Sequence, residues 1–234
     1  MNAKRGYVPE DDANFSVAAL EVMRAASRHI MYLINEGYDL KQASTFVGNH
    51  YTLSERQRLA IARSIATTRQ LDMRKAKQLT SLAGDEVWID GFNTIITLEV
   101  MLNESILFSC MDGTVRDLAS LHGTYRVISE TGEAVRILLS ALETQQVKTV
   151  HILLDKPVSN SGRLKTLIAE VGEGCPFELD IQILDAVDKV LWEKENVITT
   201  DSIILDHCRS WMNLTADIVK KHNTQTIQVW EHLL

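Results

Sequence analysis

"EVWIDGFNTII", residues 86–96, decides how the rest of the chain is read. Val87, Trp88 and Ile89 form a short apolar run, too short and too β-rich for a helix, that ends on Asp90, Gly91 and Asn93. A short apolar run bounded by turn residues is the pattern of a buried strand. The segment predicts a core strand whose last residue is a carboxylate, followed by a tight turn. Two later runs repeat the arrangement: "HILLD" ends on Asp155 and "VITTD" ends on Asp201.

Helical periods separate these strands. "SETGEAVRILLSALETQQ" reads as a helix capped by Ser129, "SNSGRLKTLIAEVGEG" as a helix closed by glycines, and "AVDKVLWEKE", "SIILDHCRSWM" and "ADIVKKH" as shorter helices. "FELDIQIL" and "TIQVWEHL" read as further strands, and "TIITLEVML" and "SILFSCMDG" as extended runs or a hairpin. Strands alternating with helices predict an α/β fold with a mostly parallel sheet flanked by helices.

Upstream of Gly84 the pattern is helical. Phe15, Ala18, Val22, Ile30, Leu33 and Ile34 suit one long amphipathic helix over 12–35. Asp39 caps a second helix to Val47, and Ser54 with Gln57 forms a capping box for a third, running to Arg69. "DMRKAKQLTSL" reads as a last helical piece. The predicted division is a small all-helical domain over 1–83 and an α/β domain over 84–234.

A chain of 234 residues can bury a real core without staples. Its net charge of −7 argues against a protein that coats nucleic acid nonspecifically, but not against an enzyme that acts on it. The three cysteines are widely spaced, with no CxxC pair, which points away from structural zinc and towards a reducing compartment. The N-terminus is polar, and no apolar run could span a bilayer, so a cytoplasmic protein without a membrane partner is expected. No P-loop, GxGxxG, nucleophile elbow or HExxH occurs.

In open α/β sheets ligands gather at the carboxyl ends of the strands. If the three acid-ended strands are parallel neighbours, Asp90, Asp155 and Asp201 converge at one edge. Like charges so placed need a counter-charge. Mg²⁺ or Mn²⁺ suits carboxylate oxygens, and such a site can position a water and neutralise the charge developing on a phosphodiester. Each acid also has an ordinary reading as a turn former, and Asp201, before "SIILD", stands where a helix cap would. Asn93 orients the water, binds phosphate, or closes an Asx-type turn. For a fourth acid the sequence offers Asp206 and Glu133.

Two stretches offer phosphate contacts. In "KPVSNSGR", Ser159, Asn160, Ser161 and Arg163 surround a helix N-terminus whose free N–H groups can meet a phosphate or simply be capped. Arg56, Arg58, Arg63, Arg69, Arg74, Lys75 and Lys77 crowd the end of the helical part. Arg56 and Arg63 are seven residues apart and share a helix face, either as a track for a nucleic-acid backbone or as a solvated surface. His50 and Tyr51 offer a base-stacking pair or an interhelical corner.

"WIDGFNTI", "HILLD" and "VITTDSIIL", in that order, resemble the acid-bearing strands of the PIN/NYN-like nuclease superfamily. The likeness covers about residues 86–210. The helical part resembles the small helical domain of an uncharacterised prokaryotic family with the same two-part layout. The resemblance implies a PIN-like sheet, Asp90, Asp155 and Asp201 as metal ligands for Mg²⁺ or Mn²⁺, and Asn93 as a polar catalytic neighbour. It implies phosphodiester hydrolysis by a water activated at the metal, with RNA the favoured substrate. The extended reading of Thr94–Leu121 departs from the helical first crossover of that family. Other classes stay open: a nucleic-acid-binding or regulatory module of the same fold that has lost activity, and a partner-binding protein whose helical domain builds a homo-oligomer.

Overall fold

The computed structural model describes residues 4–119 and 123–231. Its helical part starts with α1 (Asp11–Asn14) and α2 (Val17–Asn35). The single long helix expected here is split because Ser16 turns extended and caps α2, its side chain accepting from the Ala19 N–H at 3.4 Å. Asp39 caps α3 (Leu40–His50), and Ser54 and Gln57 form the expected capping box at α4 (Glu55–Ser64). The chain leaves the helix at Ile65, and a second capping box, Thr67 with Gln70, opens α5 (Thr68–Ala76). The expected helix to Arg69 is therefore two helices. The reason is visible in the residues, since Thr67 and Gln70 satisfy the orphan N–H groups of a new start. The expected helical piece over 72–82 is helical only to Ala76, as the second half of α5, and is corrected beyond it: Gln78–Leu79 is a strand, β1.

The α/β part runs β2 (Glu86–Asp90), α6 (Gly91–Leu102), β3 (Phe108–Ser109), β4 (Val115–Arg116), α7 (Thr131–Thr144), β5 (Thr149–Asp155), α8 (Ser161–Val171), β6 (Glu178–Leu184), α9 (Val187–Leu191), β7 (Val197–Ile198), α10 (Ser202–His207), β8 (Trp211–Met212) and α11 (Leu214–Lys221). The six-stranded sheet has the order β1-β8-β7-β2-β5-β6, and every pairing in it is parallel. From central β2 the chain moves outward through β5 to β6, then returns to build β7 and β8 on the other side. The order reverses between β2 and β7, which is where open α/β sheets form crevices.

The extended reading of Thr94–Leu102 is corrected: it is helix α6, the first crossover. Its β-branched residues read as strand because the helix has no polar face. Every residue from Phe92 to Met101 except Asn93 is buried, Thr97 and Glu99 included. A helix apolar all round loses the 3.6-residue signature. Part of the second run does form a hairpin, with β3 and β4 paired antiparallel. "TIQVWEHL" contributes a single bridge, Ile227 to Phe108, rather than a strand. Ser129 does not cap α7; Glu130 holds that position and accepts from the Ser129 hydroxyl at 2.8 Å.

Alternation along β2 sends its side chains to two cores. Val87 and Ile89 join the larger one, with α6, α7, α8 and α11, while Trp88 packs with the smaller one against α9 and α10. Asp90, two residues beyond Trp88, shares its face. A third core joins α2, α3 and α4 to Phe108, Leu118, Val229 and Trp230. Among the described residues no helix is long and apolar enough to cross a membrane.

Candidate active site at the carboxyl edge of the sheet

Gly91 follows Asp90 directly into α6, with no intervening turn. A Cβ there would meet Leu154 Cδ2 at 2.6 Å and the Leu153 carbonyl oxygen at 2.8 Å, so only glycine lets α6 start this close to β5. Asp90 occupies the N-cap position of α6 but makes no capping bond. Its carboxyl instead accepts from the Thr199 hydroxyl at 2.9 Å, reaching across the reversal point to the chain after β7.

A cavity of about 410 Å³ opens at this edge. Asp90, Asn93, Asp155 and Asp201 all line it, together with Arg63, Arg116 and Asp117. The structure thus brings the three expected acids and the amide to one place, although β7 stops at Ile198 and Asp201 lies three residues beyond it rather than at a strand end. Burial is the main reason that the Asp90 carboxyl is pushed up to about 8; Thr199 opposes the shift, and Asp201, Asp188 and Asp155 add to it. Burial, then Asp188, also raises Asp155. Asp188 itself is raised by burial and by Asp201. These carboxylates feel one another electrostatically. Among the described residues, though, no group of three His, Cys, Asp or Glu side chains stands assembled as a metal site.

Asp201 does cap a helix, its Oδ1 accepting from the Ile203 and Ile204 N–H groups at 2.7 and 3.1 Å. Asn93 does not close its own turn; its Oδ1 accepts from Thr200. Neither sequence candidate for a fourth acid lies in the cavity. Asp206 is held by Arg74 and Gln70, and Glu133 pairs with Arg136 on the outside of α7. The acid that couples to Asp155 and Asp90 is Asp188, in the first turn of α9, which sequence reasoning missed. A strand-end rule applied to β6 would have chosen Asp185, whose side chain is 79% exposed and faces Lys156. Asp117, one residue past β4, was also missed. It is 7% exposed, held by the Thr97 hydroxyl at 2.8 Å and the Ala119 N–H at 2.7 Å, and its carboxyl is raised, chiefly by burial.

The expected phosphate contacts divide. Arg63 lines the cavity and donates to the Asp117 carbonyl oxygen at 2.5 Å. Arg56 shares its face, as the spacing predicts, but is spent on Asp11 and on the carbonyls of Gly6 and Leu118. Ser159 and Asn160 fasten the backbone of Tyr125, while Ser161 is buried and Arg163 exposed at the start of α8. None of the four lines the acid cavity. Most of the basic stretch is internal fastening. Arg58 serves carbonyls of Leu53 and Thr45, Arg74 bridges Asp112 and Asp206, and Lys77 closes the end of α10 at Asp206 and Cys208. His50 and Tyr51 pack edge to face, with the Tyr51 hydroxyl on His29, as an interhelical corner.

Comparison with known proteins identifies family but not activity. An uncharacterized protein of Methanocaldococcus jannaschii is 35% identical over 182 residues, 77% of this chain and 87% of its own. No solved structure matches. A family described as a protein of unknown function (DUF434) matches residues 22–77, within the helical part. Residues 79–217, which hold the whole acid cavity except Ala62 and Arg63, match the domain of unknown function DUF5616, and the chain belongs to that family.

Proposed function

We propose that the protein is a metal-dependent phosphodiester hydrolase, a ribonuclease of PIN-like fold. The observation that carries the reading is the gathering of Asp90, Asp155 and Asp201, with Asp188 behind them, around one cavity where the sheet order reverses. The strand order supports a PIN-like sheet, and helical α6 supplies a helical first crossover, while the β3–β4 hairpin stands as an insertion after it.

One observation supports a hard divalent cation here: Asp90 is buried, feels the charges of Asp201, Asp188 and Asp155, and makes no ion pair among the described residues. Asp90, Asp155 and Asp201 would hold Mg²⁺ or Mn²⁺, with Asp188 near enough to contribute charge. When bound, the cation supplies charge neutralisation at the phosphate and lowers the pKa of water. The chain's own residues do the rest. Arg63, on the cavity wall, attracts the phosphate. Asn93 keeps the Thr200–Asp201 loop in place.

A second reading, a nucleic-acid-binding module without cleavage, is favoured by the structural duties several acids already perform: Asp201 caps α10 and Asp117 bonds Thr97. One calorimetric titration with Mn²⁺, paired with cleavage of labelled RNA, separates the two. The hydrolase reading expects Mn²⁺ to bind, cleavage to require it, and both to disappear in Asp90→Asn. Binding should also release about one proton per ion at neutral pH, since Asp90 starts protonated. Equal cleavage by wild type and Asp90→Asn would trace the cutting to a contaminant and end the proposal.

A further inference from the structure

A second cleft, of about 420 Å³, lies beside the acid cavity. Residues 4–8 line it together with Thr124, Arg126 and Ile128, and Arg56 and Leu118 complete the lining with Ala119. Ala119 lines both clefts. The stretch between them is pinned from α4, by Arg63 at the Asp117 carbonyl and Arg56 at the Leu118 carbonyl. The two openings are therefore neighbours across a few residues of one chain segment.

Their linings differ in charge. Asp90, Asp117, Asp155 and Asp201 line the first with Arg63 and Arg116; Lys4, Arg5, Arg56 and Arg126 line the second, and among the described residues no acidic side chain does. In a chain of net charge −7 this local excess of cations is out of character. Arg5 and Arg56 are anchored from behind by Glu99 and Asp11, both almost fully buried. The Lys4 and Arg126 side chains are exposed and form no ion pair among the described residues. Tyr7, 43% exposed, stands in the same cleft. Free cations beside an accessible ring are what a single nucleic-acid strand uses, phosphates on the cations and a base on the ring.

We infer that this cleft binds the single strand flanking the phosphodiester at the acid cavity, with Lys4 and Arg126 on phosphates and Tyr7 stacked on a base. The choice of a strand as ligand rests on the hydrolase reading; the cleft itself rests on its own residues. The test is fluorescence anisotropy of a short labelled single-stranded RNA with the full chain in chelator, so that nothing is cut. The double variant Lys4→Glu/Arg126→Glu should weaken binding at least tenfold and flatten the dependence of log affinity on log salt by about 0.7 per cation removed. Tyr7→Ala should weaken binding with the salt slope unchanged. All three side chains are exposed, so circular dichroism should match wild type. Unchanged affinity in the double variant overturns the inference, as does inorganic phosphate displacing the RNA at equal phosphate concentration, the mark of a simple anion site. RNA held through this cleft but never cut keeps the cleft and ends the hydrolase reading. Cleavage that needs Asp90, with affinity unmoved in the double variant, does the reverse.

Discussion

Asn93 holds Thr200 by both of its donors: Asn93 Oδ1 accepts from the Thr200 backbone N–H at 3.0 Å and from its hydroxyl at 2.6 Å. The bond joins the first turn of α6 to the loop that delivers Asp201. Thr200 is 2% exposed, so its N–H has no ready substitute in water. Arg116 grips the same residue from the other side, donating to the Thr200 carbonyl oxygen at 2.6 Å.

Asn93→Ala should cost about 1–3 kcal/mol, the desolvation cost of donors left unpaired, and lower the cleavage rate more than substrate affinity. Asn93→Asp keeps the acceptor oxygens and should recover most of the stability. Urea denaturation beside RNA cleavage tests this; an alanine variant as stable as wild type contradicts the positioning role.

Asp90→Asn should lose activity and gain stability. With the Asp90 carboxyl raised from 3.8 to about 8, the folded protein keeps a proton that the unfolded chain releases within that window. The folded state therefore binds more protons there, and stability falls as pH climbs through it. An amide cannot ionise and still accepts from Thr199. The urea midpoints of variant and wild type should separate increasingly from pH 5 to pH 8 in metal-free buffer. Parallel pH profiles would show that Asp90 ionises in the fold at no cost.

Arg74 is the fastening point between α5 and α10. It is 2% exposed and pairs with Asp112 at 2.6 Å and Asp206 at 2.7 Å, while Asp112 also meets Arg116 at 2.6 Å. Burial works against the Asp112 charge, but Arg116, Thr114 and Arg74 together hold its carboxyl below the usual range. Arg74→Met should destabilise by about 3–5 kcal/mol, the effect of breaking a buried pair. Asp206→Asn, at a side chain 20% exposed, should cost no more than about 1 kcal/mol. Equal losses in the two would mean that Asp112 is not the dependent partner.

Gly91→Ala should cost about 1–3 kcal/mol by overpacking against β5 and lower activity further by displacing Asp90. The contacts a Cβ would meet are backbone and β5 side chains, with no flexible tip free to yield. Gly174→Ala, where a Cβ meets nothing within 4 Å but φ is +85°, serves as a contrast: it should lose stability without losing activity beyond it.

The acids at the ends of β2 and β5 were legible because strand ends leave a plain mark, an apolar run and then a carboxylate; Asp201 was found by the same mark although β7 stops at Ile198 and the acid caps α10. The helical part was legible for its caps, and Thr67 with Gln70 would have revealed the α4–α5 break had the same capping-box rule been applied twice. Helix α6 was not legible, since its burial on every side erased the periodicity that identifies helices. Asp188 was missed because it sits three residues past Asp185 in a short helix, and only the fold turns it inward. The basic stretch misled for a related reason. Charge along a chain says nothing of direction, and Arg56, Arg58, Arg74 and Lys77 turn towards internal carbonyls and carboxylates.

Val229 and Trp230, 0% and 7% exposed, complete the core of α2, α3 and α4. Arg24 donates to the Gln228 carbonyl oxygen and Arg28 pairs with Glu231. In chain order the α2–α4 segment precedes every strand of the sheet, and Val229 and Trp230, which seal it, follow the last strand. The helices can therefore bury that side of their core only once the chain beyond the sheet has been made. Domains usually fold in order of synthesis; here helices made before the sheet share their core with residues made after it.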